Sequence, residues 1–166
     1  GMSSLDTINL FAEKQKIKLS TDTKNKIQSN KRSLTKKIFR PKIYPYLHPL
    51  INKLKRGGLI LAVVSGGDKD FVKNVVKAEF PKAFKTVITG DDVRHSKPSP
   101  APYRLVLKKL NLKPSEAIVI ENSPLGIESA KKAKIKTFAL ATTLNKKHLK
   151  QADRVFPNHK KLLTFL

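Results

Sequence analysis

The 166-residue chain carries 35 Lys and Arg against 12 Asp and Glu, a net charge of +23, with 39% hydrophobic residues and no cysteine. This is enough apolar material for one compact domain with a small appendage, and it excludes disulfides and thiolate metal sites. No apolar run approaches the ~20 residues of a membrane span, so no membrane association is expected, and the cysteine-free composition fits a cytoplasmic protein.

Gly1 ahead of Met2 reads as a cloning remnant before a native start, and no secretory segment follows it. The positive charge runs from Lys14 to Lys161, is mostly lysine, and is not interleaved with aromatic residues. It reads as a solvated surface. A basic nucleic-acid-binding protein is the alternative, and its binding would be strongly salt-dependent. The dense run Lys131-Lys132-Ala133-Lys134 falls at a predicted helix end, where cations complement the helix dipole.

In chain order, residues 3–39 are polar and helix-like. Leu5, Ile8 and Phe11, then Ile27, Leu34 and Ile38, draw two thin apolar faces, with Ser20 or Thr21 capping the second helix. Their exposed apolar residues would favour association, so a homodimer is one expected state. Pro41, Pro45 and Pro49 then punctuate a connector. Beyond it the pattern becomes strand and helix in alternation. Residues 59–64, 86–89, 117–120, 137–140 and 154–156 read as strands, and helices are expected to start at Lys69, Ala101, Pro124 and Lys146. Short apolar strands separated by helices predict an α/β fold with a doubly wound, Rossmann-like parallel sheet.

Three elements in this part carry chemistry. The first is the strand end Val64-Ser65-Gly66-Gly67-Asp68. In open parallel sheets, ligands lie beyond the carboxyl ends of the strands. A serine hydroxyl followed by glycine amides can donate to phosphate oxygens there, while Asp68 reads as a helix N-cap. The second is Gly90-Asp91-Asp92-Val93-Arg94-His95-Ser96-Lys97-Pro98-Ser99-Pro100-Ala101-Pro102-Tyr103. The prolines pre-organise a helix entry and hold Lys97 in a defined place. Asp91 and Asp92 read as turn-capping acids rather than metal ligands, and His95 as an exposed loop residue. In the third, residues 117–130, a buried strand delivers Glu121 and Asn122 to its end before Pro124 opens a helix. Hard oxygen donors of this kind suit Mg²⁺.

In order and setting, Ser65, Lys97-Pro98 and Glu121-Asn122 resemble the later motifs of the haloacid dehalogenase-like phosphohydrolases. The likeness is strongest to the branch of phosphoglycolate phosphatases and β-phosphoglucomutases, and it covers residues 40–157. It implies that Ser65, with Gly66, hydrogen-bonds a phosphoryl group, and that Lys97 clamps that group and organises the carboxylates. It implies as well that Glu121 and Asn122 help to hold Mg²⁺, directly or through water. Relatives commonly have Asp where Asn122 stands, so affinity for the ion is expected to be weak. Lys134 stands where relatives have Gly, in a turn expected to be left-handed. The implied substrate is a small phosphorylated metabolite or inorganic phosphate.

The same resemblance exposes a gap. The family's first motif, a strand ending in Asp-x-Asp whose first aspartate attacks phosphorus to form an aspartyl-phosphate, has no counterpart upstream of Ser65. Asp6 fails as a substitute because no apolar strand precedes it. The chain is therefore expected to be an N-terminally shortened, inactive member, with residues 1–40 a remnant of the helical cap and 41–166 the core. A non-catalytic phosphate-binding or interaction module is the alternative. Without the first strand, the strands ending at Ser65 and Glu121 are expected to pair directly or to be completed by dimerisation, with residues 1–20 a less favoured filler.

Overall fold

The computed structural model describes residues 2–166; Gly1, read above as a cloning remnant, lies outside them. The chain opens with a helical hairpin. Helix α1 (Ser4–Lys14) is capped by Ser3, whose hydroxyl accepts from the Asp6 amide, and it ends as Lys16 turns to a positive φ of 56°. Helix α2 (Thr21–Ile38) is capped by Ser20 through the Thr23 amide. Neither helix contains a buried residue, and Phe11, Leu34 and Ile38 are well exposed.

Helix α3 (Leu47–Arg56) occupies part of the stretch expected to be a connector. Pro49 does not interrupt it, because it lies in the first turn, where a missing N–H has no helical partner to lose. Strand β1 (Ala62–Val64), helix α4 (Lys69–Glu79), strand β2 (Thr86–Ile88) and helix α5 (Ala101–Leu110) follow. Then come β3 (Ile118–Glu121), α6 (Pro124–Lys132), β4 (Lys136–Leu140), β5 (Arg154–Phe156) and α7 (His159–Phe165). The helix expected from Lys146 is only a 3-10 turn over Lys146–Leu149. Its Lys-Lys-His sequence offers no apolar face, and Leu149 alone is buried. Helix α7 was not expected; seven residues are too few to show a period clearly.

All strand pairs are parallel, as the alternating pattern requires, but they form two sheets, β1–β2 and β3–β4–β5. Helices α5 and α6 cover one side through Tyr103, Leu107, Val119 and Ala130, with Val64 packed against this cluster. On the other side, α3 and α7 pack Leu50 and Leu162 on Phe138, Leu140 and Phe156. Helix α5 thus touches both half-sheets.

Among the described residues no hydrogen bond joins β1 to β3, which overturns the expectation that these two strands pair directly. Residues 4–14 are helical and supply no filler strand either. Two contacts link the half-sheets in place of backbone pairing. Val64 and Val119 pack on the same α5 cluster, and the Lys97 side chain lies between the two strand ends. The expected strand at 59–64 is accordingly shortened to 62–64, with Leu59 and Ile60 each 57% exposed.

Candidate phosphate site at the strand ends

Ser65 directly follows β1, and its amide donates to the Ile88 carbonyl of β2 (2.9 Å). Its hydroxyl accepts from the Gly67 amide (3.1 Å), which leaves the hydroxyl proton for another acceptor. Asp68 caps α4 by accepting from the Phe71 amide, as its position predicts. The loop after β2 comes close at this point. A Cβ on Gly90 would stand 2.8 Å from the Gly66 carbonyl oxygen and 2.9 Å from Ser3 Cβ.

Lys97 is 4% exposed. Its ammonium donates to the Val64 carbonyl (3.0 Å) and to Glu121 Oε1 (2.5 Å). It therefore ties the end of β1 to the end of β3, with one of its three N–H groups left for a ligand. The proline-rich entry to α5 supplies the placement, and the Lys97–Pro98 peptide is cis.

Glu121 ends β3 and is buried. Besides Lys97, Oε1 accepts from the Tyr103 hydroxyl (2.8 Å); Oε2 accepts from the amides of Asn122 and Ser123 and from the Ser123 hydroxyl. Burial pushes its carboxyl pKa up, but the Lys97 charge and these donors outweigh burial and bring it below the ordinary value. Tyr103 responds in the opposite sense: burial, then the adjacent carboxylate, raises its phenol pKa. Helix α6 approaches so closely that only a hydrogen fits at Gly126; a Cβ there would overlap the Glu121 carboxyl group.

Asn122 is exposed, and its side-chain amide donates to Thr143 Oγ1 at 3.4 Å. The donor set does not fit a Mg²⁺ site. Five donors already occupy the Glu121 oxygens, Asn122 carries no charge, and Mg²⁺ requires a near-octahedral set of oxygens. Among the described residues no group of three or more His, Cys, Asp or Glu side chains could hold an ion.

The acids of the β2 loop behave as caps. Asp92 accepts from the Thr89 amide and hydroxyl and from Lys69, and Asp91 accepts from Arg32 and the Lys69 amide. Burial raises the Asp92 pKa, yet these hydrogen bonds and the Lys69 charge bring it down to about 2. His95 is exposed.

Three participants were not assigned from the sequence. Tyr103 stands in the quoted motif, but no local signal pairs it with Glu121. Arg32 of α2 reaches Asp68 and Asp91, carrying the hairpin onto the loops beyond β1 and β2. Asp6, dismissed as a nucleophile, accepts from the amide and hydroxyl of Ser96, the neighbour of Lys97. Ser96 Oγ also accepts from the Ser3 amide (2.9 Å). Contacts across about 90 residues leave no trace in sequence periodicity.

The parallel α/β fold gathers a serine, a buried lysine and a carboxylate at its strand ends, where open sheets of this class bind their ligands. Residues 1–140 match the family of haloacid dehalogenase-like hydrolases, and the chain belongs to it. It is 35% identical over 105 residues to a validoxylamine A 7'-phosphate phosphatase of Streptomyces hygroscopicus subsp. limoneus, covering 63% of this chain and 49% of that protein. To the pyrophosphatase PpaX of Bacillus velezensis it is 36% identical over 102 residues, covering 61% and 47%. The chain thus spans about half the length of these curated relatives. Among solved structures, it superposes on a β-phosphoglucomutase-like protein of Bacteroides vulgatus with a TM-score of 0.90 and 28% identity, covering 99% of this chain and 69% of that one. CbbY of Rhodobacter sphaeroides, solved with phosphate, gives 0.82 and 25%, covering 98% and 76%.

No helix is long and apolar enough to cross a membrane among the described residues.

Proposed function

We propose that this chain is the phosphate-anchoring part of a haloacid dehalogenase-like phosphatase, with residues 2–40 as cap helices, and that by itself it binds phosphate without turning over phosphate esters. One observation carries the reading: the buried Lys97 ammonium joins the two strand ends beside Ser65 and retains one N–H. Ser65, Gly66 and Lys97 would hold the oxygens of inorganic phosphate or of a small phosphomonoester. The likeness to enzymes named for a phosphorylated sugar derivative and for pyrophosphate supports that ligand class.

Phosphoryl transfer through an acyl-phosphate needs a carboxylate free to attack phosphorus. Both Glu121 oxygens are engaged by donors, and Asp6 is engaged by Ser3 and Ser96. No step is therefore assigned to either. Mg²⁺ is expected to add little here, because Glu121 and Asn122 do not form a set that fits it.

The test is a calorimetric titration with phosphate at fixed ionic strength. Heat should be measurable for the unaltered chain and be lost in Ser65→Ala, a partly buried position that leaves the Lys97–Glu121 pair intact. Equal binding by both proteins would reject the site. Turnover of p-nitrophenyl phosphate that survives repurification and vanishes in Lys97→Ala would reject the proposed inactivity.

A further inference from the structure

Helices α3 and α7 lie side by side and bury Leu50 and Leu162 in one core cluster. Their outer sides are left to Lys53, Lys55, Arg56, Lys160 and Lys161, and Arg154 of β5 joins them; all six are exposed. No Asp or Glu occurs in residues 39–67 or 154–166, the segments that build this face. The acids bordering those segments, Asp68 and Asp153, are held by Arg32 and Lys131. We propose that this face binds single-stranded RNA, its cations meeting the phosphates and its aromatic rings the bases. The surface shares no residue with the strand-end site and needs no catalysis.

Charge alone would attract any polyanion; the aromatic rings narrow the partner. Along the sequence the cations are not interleaved with aromatic residues, but the fold interleaves them here. Tyr44 stacks on His159 at 5.2 Å, the Lys160 ammonium lies 5.6 Å from the centre of the Tyr46 ring, and the Arg154 guanidinium lies 4.0 Å from that of Phe165. Tyr44, Tyr46 and Phe165 are 41%, 44% and 45% exposed, so each ring keeps surface for a base. Midway along α7, the Lys53 ammonium donates to the Leu163 carbonyl and fixes α3 to α7. Rings for stacking, set among cations for the backbone, are what single-strand recognition requires.

Other polyanions fit less well. The bases of a duplex are already stacked on one another and cannot lie on these rings. An acidic membrane would need a broad apolar face to bury, and the apolar sides of α3 and α7 are already used in the core. RNA rather than DNA is the partner because cellular DNA is held as duplex, whereas RNA exposes unstacked bases in loops and ends.

The experiment uses the whole chain and a labelled uridine dodecamer without terminal phosphates, in phosphate buffer so that the strand-end site is occupied. Binding is read by fluorescence anisotropy, and stacking by tyrosine emission with unlabelled RNA. The chain has no tryptophan and three tyrosines, of which Tyr103 is buried, so a change in emission reports Tyr44 and Tyr46. RNA should quench that emission. Affinity should fall with salt at a log–log slope of up to about −4, which is about 0.7 for each of six phosphates. Tyr46→Leu with Phe165→Leu, which keeps apolar volume and all charge, should weaken binding about fivefold or more. Lys160→Gln with Arg56→Gln should weaken it more than Lys26→Gln with Lys37→Gln, which removes the same charge from α2. All six substitutions lie at exposed positions, so the fold should persist by circular dichroism. Any one of these results would overturn the proposal: no binding at low salt, unchanged tyrosine emission in the complex, no loss on removing the two rings, or equal losses from the two charge pairs. Equal or tighter binding of duplex RNA or phosphatidylserine vesicles, or tighter binding of the matching deoxyuridine dodecamer, would overturn it as well.

Discussion

The Lys97 ammonium and the Glu121 carboxylate form a buried ion pair across the gap between two half-sheets, at 2.5 Å and with side chains only 5% and 7% exposed. A carboxylate this deeply buried persists because both of its oxygens accept hydrogen bonds: Lys97 and Tyr103 donate to one, and the Asn122 and Ser123 amides to the other. The pair is both the anchor of the proposed phosphate site and the only described polar link between the ends of β1 and β3.

Removing one partner of such a pair leaves the other charge buried and unpaired, at a cost of about 3–5 kcal/mol. Lys97→Met should destabilise the chain by that order in urea unfolding. The double variant Lys97→Met with Glu121→Gln should recover part of the loss, because a neutral amide no longer needs a counter-charge. A loss under about 1 kcal/mol for the single variant would mean that the pair is solvated.

Gly126→Ala tests how closely α6 approaches that carboxylate. The added methyl has no space beside the Glu121 carboxyl group, so either α6 or Glu121 must move. A loss of about 1–3 kcal/mol is expected from overpacking, with phosphate binding reduced in parallel. An unchanged unfolding midpoint would show that the helix can retreat freely.

His159 gives the stability a slope near neutral pH. The residue is buried and stacks on Tyr44 at a ring separation of 5.2 Å, and burial lowers its pKa from the ordinary 6.5. Its stabilising contribution is therefore complete above pH 6.5 and is lost as pH falls through the lower folded value. Unfolding free energies measured from pH 7.5 to 5 should decline for the unaltered chain and decline less for His159→Phe. Parallel profiles would exclude His159 as the source. Asp92 acts in a lower window, with its contribution lost as pH falls from its ordinary 3.8 through about 2.

Lys134 sits at φ 62° in the turn that connects α6 to β4. A side chain there costs about 1–2 kcal/mol, and the extra backbone freedom of glycine in the unfolded chain offsets about 0.5–1 of that. Lys134→Gly should therefore raise stability by about 1 kcal/mol, read as a higher urea midpoint with an unchanged slope. A lower midpoint would mean that this exposed lysine makes a contact worth more than the strain.

Legibility followed the range of each interaction. Ser65, Lys97 and Glu121 could be placed because each closes an apolar run or precedes a proline-marked helix start, signals that lie within a few residues, and because their order and setting resemble the family's motifs. The caps Ser20 and Asp68 were readable from such local signals, whereas the left-handed turn at Lys134 was implied by the resemblance, in which relatives have Gly there. Pro49 misled because proline looks alike in a connector and in the first turn of a helix. Tyr103, Gly126 and Asp6 act on partners distant in space or sequence, or through close approach, and no local pattern encodes that.

The order of the strands, the parallel class and the residues at the strand ends were legible in the sequence, since hydrophobic period and turn chemistry are local properties, whereas α3 and α7 emerged only in the structure. Whether the strands ending at Val64 and Glu121 would meet was decided only in three dimensions. Both pack side chains on the α5 cluster and both bond the Lys97 ammonium at their ends, while no backbone hydrogen bond joins them among the described residues. Backbone pairing is available to any two strands, and which ones pair depends on the distances that the remaining core imposes.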